Sequence, residues 1–211
     1  MHWLGANWTE ILGFATGAAC VWLTVKVNIW NWPLGLANNA FSLVLFIQSR
    51  LFADSALQVV YLVLGVLGWY WWLHGAEERA PLPISRTPGW AWVGMGILAV
   101  PGTWAMAVVL VHIRDSAPFW DALTTVASLL AQYMLCKKWI ENWWVWIAAD
   151  LVYIPLYLVK HIPLFSVLYA LFLGLCVVGL LAWRRERSGS VPPPTAGQVV
   201  GEPQGPGLAL G

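Results

Sequence analysis

Seven apolar stretches, each close to the length that crosses a lipid bilayer, constrain this sequence more than any other feature. About 20 consecutive apolar residues in a helix span the hydrocarbon core of a membrane. On this basis we predict spans at residues 8–27, 32–51, 55–73, 90–113, 119–135, 143–159 and 164–183. The chain is 60% hydrophobic and 10% charged, whereas soluble domains carry about 25% charged residues. The sequence therefore predicts an all-α membrane protein with seven transmembrane helices.

The distribution of Lys and Arg predicts how these helices are oriented. With seven spans, three basic residues fall on the N-terminal side of the membrane and eight on the other side. Basic residues concentrate in cytoplasmic loops, which predicts an N-out/C-in arrangement. No basic segment precedes the first apolar run, so we expect the N-terminus to be retained rather than cleaved as a signal peptide. Residues 188–211 are rich in Gly and Pro, and we predict a disordered cytoplasmic tail there.

A constant difference in residue number, which we call the repeat offset, relates the first third of the chain to the last third. Identical residues at this offset are Lys26 and Lys137, Ile29 and Ile140, Asn31 and Asn142, Trp32 and Trp143, Gly68 and Gly179, and Trp72 and Trp183. Because one helix separates the two units, both have the same orientation in the membrane. We predict a 3+1+3 parallel pseudo-repeat: 1–73 is the first three-helix repeat, 74–117 a cytoplasmic loop and linker helix, and 118–187 the second repeat. The loop is expected only to connect.

One stripe of aromatic and polar residues follows the predicted sixth helix. Steps of three and four residues from Trp139 lead to Trp143, Trp146, Asp150, Tyr153 and Tyr157, which is the spacing of one helix face. A carboxylate at membrane depth costs about 2.5–3.5 kcal/mol, so Asp150 should face protein or water rather than lipid. This favours a substrate path along the stripe. The alternative is a buried Asp hydrogen-bonded to neighbouring helices, with the tryptophans as packing.

Two further helices supply polar residues that complement this stripe. The repeat offset places Trp32 and Asn39 on the second helix, with Asn39 opposite Asp150, and the third helix carries Gln58 and Tyr61. For Gln58, a structural hydrogen bond between helices is the alternative role. Indole faces, amides, phenols and a carboxylate together suit a flat heteroaromatic ring that carries a sugar, preferably a cationic one. The predicted substrate-binding residues are Trp143, Trp146, Asp150, Gln58, Asn39, Tyr61, Tyr153, Trp32 and Tyr157.

Other classes of function have less support in the sequence. The three Cys and four His residues share no metal-ligand spacing, and the net charge of +1 gives no reason to expect nucleic acid as a partner. A membrane-embedded enzyme would need a nucleophile or a carboxylate pair on one face, so we predict no enzyme, no catalytic residues, no metal and no cofactor. The absence of a G-x-x-x-x-G-K-[ST] segment favours a passive uniporter. Proton coupling stays open because Glu10, Asp54, Asp121 and Asp150 are present.

Three aromatic segments carry specific motifs: N-W-P-x-G within 27–39, A-D-x-x-L-Q-x-x-Y and G-W-Y-x-W within 50–72, and W-x-x-W-I-x-x-D within 139–157. These segments resemble the nicotinamide riboside transporter family PnuC. The resemblance extends from about residue 9 to residue 183 and excludes the tail and the central loop.

The resemblance to that family implies a seven-helix fold related to the SWEET sugar transporters. It further implies a homotrimer in the bacterial inner membrane that takes up nicotinamide riboside by facilitated diffusion, with cytoplasmic phosphorylation trapping the product. Relatives of the family carry thiamine or riboflavin, so these vitamins remain alternative substrates. Nicotinamide riboside and thiamine carry a cationic ring, whereas riboflavin does not.

Overall fold

The computed structural model describes residues 8–48, 52–75, 82–113, 117–159 and 163–189. The described residues form seven α-helices: α1 Trp8–Val25, α2 Asn31–Gln48, α3 Phe52–His74, α4 Gly89–His112, α5 Pro118–Cys136, α6 Asn142–Val159 and α7 Pro163–Gly189. This confirms the predicted all-α fold. The bounds lie within three residues of the predicted spans, except that α7 continues to Gly189. The predicted tail therefore begins inside a helix, and its residues 190–211, like the N-terminal residues 1–7, lie outside the described residues.

Four helices in the described part of the chain are long and apolar enough to cross a membrane by length and composition. They are Ser55–His74, Gly89–His112, Asn142–Val159 and Ser166–Gly189. The other helices include α2 and α5, which carry polar residues such as Asn38, Asn39, Ser128 and Gln132. These four side chains line an internal cavity. The lower hydropathy of α2 and α5 is thus explained by polar residues on their interior faces.

Two groups of three helices pack against each other around this cavity. The first helix group is α1–α3 and the second is α5–α7; α6 packs closely on α7 just as α2 packs on α3. The two groups meet where α1 contacts α7 and where α3 contacts α5. At the repeat offset α1 corresponds to α5 and α3 to α7, so these two contacts are equivalent. The intervening helix α4 packs mainly against α5.

The same close approach between an indole ring and a glycine occurs in both helix groups. The Trp32 ring lies against Gly68, and the Trp143 ring lies against Gly179. A Cβ atom added at either glycine would lie less than 3.0 Å from the ring. Protein interiors have no spare volume for such an overlap. Glycine is therefore required at both positions by the ring that it faces.

Four tryptophans at one end of the molecule connect the two helix groups. We call this cluster the tryptophan clasp: Trp32, Trp72, Trp143 and Trp183. The ring centroids are 5.4 Å apart, with nearly perpendicular planes, for both Trp32–Trp72 and Trp143–Trp183. Trp72 of the first group donates its Nε1–H to the Leu135 carbonyl at 3.2 Å, and Trp183 of the second group donates to the Thr24 carbonyl at 3.1 Å. Each helix group thus donates one indole hydrogen bond to a backbone carbonyl of the other group, and the two bonds are at equivalent positions.

The turns that precede α2 and α6 share an unusual backbone conformation at this end. Val27 has φ 52° and Lys138 has φ 50°, a left-handed conformation that costs roughly 1–2 kcal/mol for residues other than glycine. In each turn the strained residue donates its amide to a carbonyl three residues earlier, Thr24 or Leu135, at 2.9 Å. The same two carbonyls accept the Nε1–H hydrogen bonds of Trp72 and Trp183. The local turn geometry and the clasp therefore stabilise each other.

Within residues 82–88, the described part of the loop before α4, the contacts are with the second of these turns. The Ser85 amide donates to the Lys138 carbonyl at 3.1 Å, and the Ile140 amide donates to the Ser85 carbonyl at 2.9 Å. Thr87 donates its amide and its hydroxyl to Glu141 Oε2 at 2.8 and 2.9 Å. The prediction that this loop only connects is wrong for residues 82–88, which dock on the α5–α6 turn. The sequence gives no sign of this docking, because the bonds of Ser85 join backbone atoms and Thr87 and Glu141 lie 54 positions apart.

Lys138 itself packs into this junction. Its Nζ lies 4.2 Å from the centroid of the Trp72 ring, which is a cation–π distance. Burial lowers the pKa of the Lys138 amine, and the nearby Glu186 carboxylate acts in the opposite direction. The clasp end therefore holds a basic residue among aromatic rings rather than in solvent.

Candidate functional site

A cavity of about 680 Å³ lies between the two helix groups. Its volume falls within the range of small-molecule sites, about 300–1,000 Å³. All three helices of each group contribute to its lining, and α4 contributes Leu110. Among the described residues that line it, Asp121 and Asp150 carry acidic groups, and none is Lys or Arg. The cavity therefore favours neutral or cationic ligands over anions.

All nine residues that the sequence singles out line this one cavity: Trp143, Trp146, Asp150, Gln58, Asn39, Tyr61, Tyr153, Trp32 and Tyr157. Trp139, which begins the same stripe, does not line it. Its ring instead packs at right angles on Trp90 and Tyr133. The structure brings the nine residues together, and their part in binding stays a prediction.

The nine residues do not share one depth. On α6 the lining extends from Trp143 to Tyr157, which corresponds to about 21 Å of helix rise. Contacts between α6 and α7 mark three levels, which we call inner, middle and outer with increasing distance from the clasp: Trp143 on Gly179, Asp150 beside Cys176, and Tyr153 and Tyr157 on Tyr169.

The inner level contains paired indoles and amides that are almost fully buried. Trp143 is 2% exposed and Trp32 is 3% exposed. Their Nε1–H donors and the Oδ1 acceptors of Asn31 and Asn142 have no hydrogen-bond partner among the described residues. The side-chain amide nitrogens of the same two residues do have partners. Asn31 Nδ2 donates to Thr24 Oγ1, and Asn142 Nδ2 donates to the Trp139 carbonyl.

Such an arrangement is costly unless a ligand or water completes it. A buried polar group without a partner costs about 1–3 kcal/mol. Two donors and two acceptors at one end of a cavity suit hydroxyl or carboxamide groups, which both donate and accept. The inner level can therefore form hydrogen bonds with the polar part of a ligand.

The middle level combines a ring with a carboxylate. The thiol of Cys176 donates to Asp150 Oδ2 at 3.7 Å. Trp146 is only half-buried, so its indole face is more accessible than that of Trp143. At the repeat offset Trp146 corresponds to Gly35, which has no side chain. Tyr61 of α3 and Ser128 of α5 also line the cavity.

The outer level is a cluster of tyrosines. The ring centroids of Tyr153 and Tyr169 are 4.4 Å apart, those of Tyr157 and Tyr169 5.3 Å, and the planes lie within 23° and 9° of parallel. The Gln58 Oε1 atom is buried without a partner among the described residues, and Gln58 corresponds to Tyr169 at the repeat offset. Asp121, near the start of α5, also lines the cavity. This level can accept a flat ring.

Sequence reasoning missed several lining residues. On α5 the missed residues are Asp121, Thr125, Ser128 and Gln132; their steps of four, three and four residues are a signal that could have identified them. Asn31 and Asn142 were visible as a repeated Asn-Trp pair. Tyr169 had no comparable signal because the neighbouring residues of α7 are apolar. Among the described residues no group of three or more His, Cys, Asp or Glu could hold a metal ion.

Comparison with known proteins gives a consistent result. A protein family described as "Nicotinamide mononucleotide transporter" matches residues 7–185. The chain is 24% identical to the nicotinamide riboside transporter PnuC of Escherichia coli K12, over 86% of this chain and 88% of that protein. It is 27% identical to the riboflavin/roseoflavin transporter RibM of Streptomyces davaonensis, over 91% of this chain and 97% of RibM.

The fold also resembles a solved structure. The crystal structure of the vitamin B3 transporter PnuC superposes with a TM-score of 0.67 and 23% identity, and the match covers 86% of this chain and 83% of that one. At this identity the likeness shows the fold.

Proposed function

Because this chain belongs to the nicotinamide mononucleotide transporter family, we propose that it takes up nicotinamide riboside by facilitated diffusion through the cavity between its helix groups. It is a multi-pass transporter of the bacterial inner membrane rather than an enzyme. The observation that carries the choice of substrate is the cavity lining: aromatic rings, unpaired amide and indole groups, and two carboxylates without a basic residue among the described lining residues.

The levels of the cavity assign parts of the substrate to different residues. The pyridinium ring stacks on Trp146, where the Asp150 carboxylate balances its positive charge. The ribose hydroxyls or the carboxamide bind the unpaired groups of the inner level, which include the side-chain oxygen Oδ1 of Asn142 and the Trp143 Nε1–H. Asn39, Gln58 and Tyr61 supply further hydrogen-bonding groups. This arrangement uses the charge, the flat ring and the sugar of nicotinamide riboside.

The charge of the lining favours the riboside over its phosphorylated form. A phosphate adds about −1.5 to −2 charges. It would enter a cavity that contains Asp121 and Asp150 and, within the described residues, no Lys or Arg. Like charge and the loss of hydration both oppose its binding. We therefore expect the mononucleotide to bind far more weakly than the riboside, although the family description names the mononucleotide.

Riboflavin is the second candidate substrate, and the likeness to RibM favours it. Its ring system is flat and would stack on the same indole and phenol faces. It is neutral, however, so the carboxylates of the cavity would not contribute. Thiamine, which has a cationic ring, satisfies the charge criterion but lacks a ribose for the inner level.

The remaining parts of the proposal concern orientation, repeats and assembly. The clasp end carries Lys26, Lys137, Lys138 and Arg184, so the positive-inside rule supports a cytoplasmic clasp and hence N-out/C-in. The contacts that recur at the repeat offset support two parallel repeats around linker helix α4. For a homotrimer, the large apolar side chains exposed on α4, such as Val100 and Trp104, offer a surface for lipid or another copy. Native mass spectrometry in mild detergent measures the number of copies.

Transport in proteoliposomes tests the main proposal. Labelled nicotinamide riboside should equilibrate across the membrane without ATP or an ion gradient, whereas accumulation above equilibrium under a proton gradient would show coupling. Protein-free liposomes serve as the control for leak. Complete absence of flux in the wild type would overturn the proposal.

Calorimetric titration of the purified protein identifies the ligand. We expect nicotinamide riboside to bind more tightly than thiamine, riboflavin and the mononucleotide. Tight binding of riboflavin together with no binding of the riboside would select the second candidate. Tight binding of the mononucleotide would contradict the placement of the site beside Asp150.

A further inference from the structure

We propose that the outer level of the cavity is a separate binding site for the flat cationic ring, formed by Tyr157, Tyr169 and Asp121, which the substrate occupies before it reaches the middle and inner levels. The proposal rests on the function proposed above, since it places a second site on the same path. The ligand class is an aromatic cation such as a pyridinium, and the sugar is not required for binding there.

The length of the cavity is the first argument. The α6 residues that line it extend over about 21 Å from Trp143 to Tyr157. A single nucleoside cannot touch both ends of such a path. A ligand at the inner and middle levels therefore leaves the outer tyrosines uncovered, and a ligand on the tyrosines leaves the unpaired indoles of the inner level unsatisfied. The predicted single site thus separates into two.

The chemistry of the outer level is the second argument. The Tyr157 and Tyr169 rings lie within 9° of parallel, and both line the cavity. The Asp121 carboxylate lies close enough to interact electrostatically with Tyr153 of the same cluster. Phenol faces attract a cation through the ring quadrupole, and a nearby carboxylate adds to that attraction. The level has the rings and the charge for a flat cation.

A comparison with the first helix group is the third argument, because it shows that the fold does not require these tyrosines. At the repeat offset Tyr153 corresponds to Ser42, Tyr157 to Phe46, and Tyr169 to Gln58. Helices α2 and α3 nevertheless pack extensively against each other without them. A tyrosine cluster is therefore not needed to join such a helix pair. Its presence on one side alone points to a ligand.

The test separates binding at the outer level from binding deeper in the cavity. Uptake of nicotinamide riboside into proteoliposomes gives KM, and calorimetric titration of the purified protein gives the Kd of the deeper site. The variants are Asp121→Asn and Tyr169→Leu. Phe119→Leu is the control, because Phe119 precedes Asp121 on the same helix and is 56% exposed. N-methylpyridinium, a flat cation without a sugar, serves as the probe.

We expect N-methylpyridinium to inhibit uptake by the wild type and by Phe119→Leu. In Asp121→Asn and Tyr169→Leu the inhibition should be lost and KM should rise about 5- to 30-fold, while Kd should change less than about twofold. Added salt should raise KM of the wild type but not that of Asp121→Asn, since screening acts on the carboxylate.

Two results would overturn the outer site. An unchanged KM in both variants would mean that the tyrosines only pack, and a parallel rise of KM and Kd would mean that the cavity holds one continuous site. The near-isosteric Asp121→Asn keeps the test valid if Tyr169→Leu fails to fold. If the wild type does not transport the riboside, the proposed function fails, and calorimetric binding of N-methylpyridinium that Asp121→Asn abolishes still supports the outer site. No such binding refutes it.

Discussion

The two helix groups pack in the same way near the clasp, but they line the cavity with different residues. The contacts near the clasp are nearly identical in both: a tryptophan on a glycine, an edge-to-face tryptophan pair at 5.4 Å, and an indole hydrogen bond to the opposite group. Farther from the clasp the corresponding residues diverge. The pairs that differ are Gly35 and Trp146, Asn39 and Asp150, Ser42 and Tyr153, Phe46 and Tyr157, and Gln58 and Tyr169.

This difference separates the positions that close packing constrains from the positions that line the cavity. Close packing around an indole leaves no room for another residue, so both groups keep the same solution. The cavity walls are free of that constraint. One wall carries mainly amides, and the other carries mainly aromatic rings and a carboxylate.

The largest expected effect comes from removing a ring of the clasp. Trp32→Ala and Trp143→Ala should each lower the free energy of unfolding by about 3–5 kcal/mol, because each leaves a cavity beside a glycine. Thermal melting in detergent measures the loss. The control is Trp144→Ala, since Trp144 is 51% exposed. A large loss in one helix group and none in the other would break the comparison.

Trp146→Ala should weaken binding rather than folding. Loss of a stacking ring corresponds to about 1–3 kcal/mol, or roughly 5- to 150-fold in affinity. Trp146→Phe should lose less, because it keeps a ring and weakens only the cation–π attraction. Calorimetric titration with nicotinamide riboside, beside melting curves, distinguishes the two effects. Unchanged affinity in this variant and in any folded Trp143→Ala would place the site on another stripe.

Asp150→Asn gives both cavity walls the same residue at one position, because Asp150 corresponds to Asn39 at the repeat offset. We expect the affinity for nicotinamide riboside to fall roughly tenfold, because a charged partner contributes about 1.5 kcal/mol or more to a hydrogen bond or ion pair. Binding of neutral riboflavin should not fall. The reverse change, Asn39→Asp, is the matched variant. Equal losses for both ligands would mean that Asp150 acts through packing with Cys176.

The smallest effect concerns the bonds between the two groups. Trp72→Phe and Trp183→Phe each keep a ring and remove one Nε1–H bond, so each should cost about 1 kcal/mol of unfolding free energy. The equivalence of the two bonds predicts equal shifts in melting temperature. If the clasp opens during transport, both variants should also speed exchange of the substrate across the membrane. Unequal shifts would show that the Lys138 ammonium over the Trp72 ring, or the docked loop at residues 82–88, supports one turn more than the other.

Much of the fold was predictable because its signals are local. The length of an apolar run follows from the thickness of the bilayer, and the spacing of three and four residues follows from the helix itself. These two rules predicted the seven helices and placed nine residues on faces that line one cavity. The repeat offset is equally visible in the sequence.

Only the tertiary structure decided what each aromatic residue does. Trp139, Trp143 and Trp146 follow one another at helical spacing, yet the first packs outside the cavity, the second is buried in the clasp and the third offers an accessible face. Trp139 lies in the turn before α6 and packs on Trp90. The Trp143 ring lies against Gly179, and the half-buried Trp146 lines the cavity. Periodicity fixes the face on which a side chain lies, whereas its burial and its partners depend on residues far away in the chain. For that physical reason the sequence could not predict the unpaired side-chain oxygens of Asn31 and Asn142 or the docked loop.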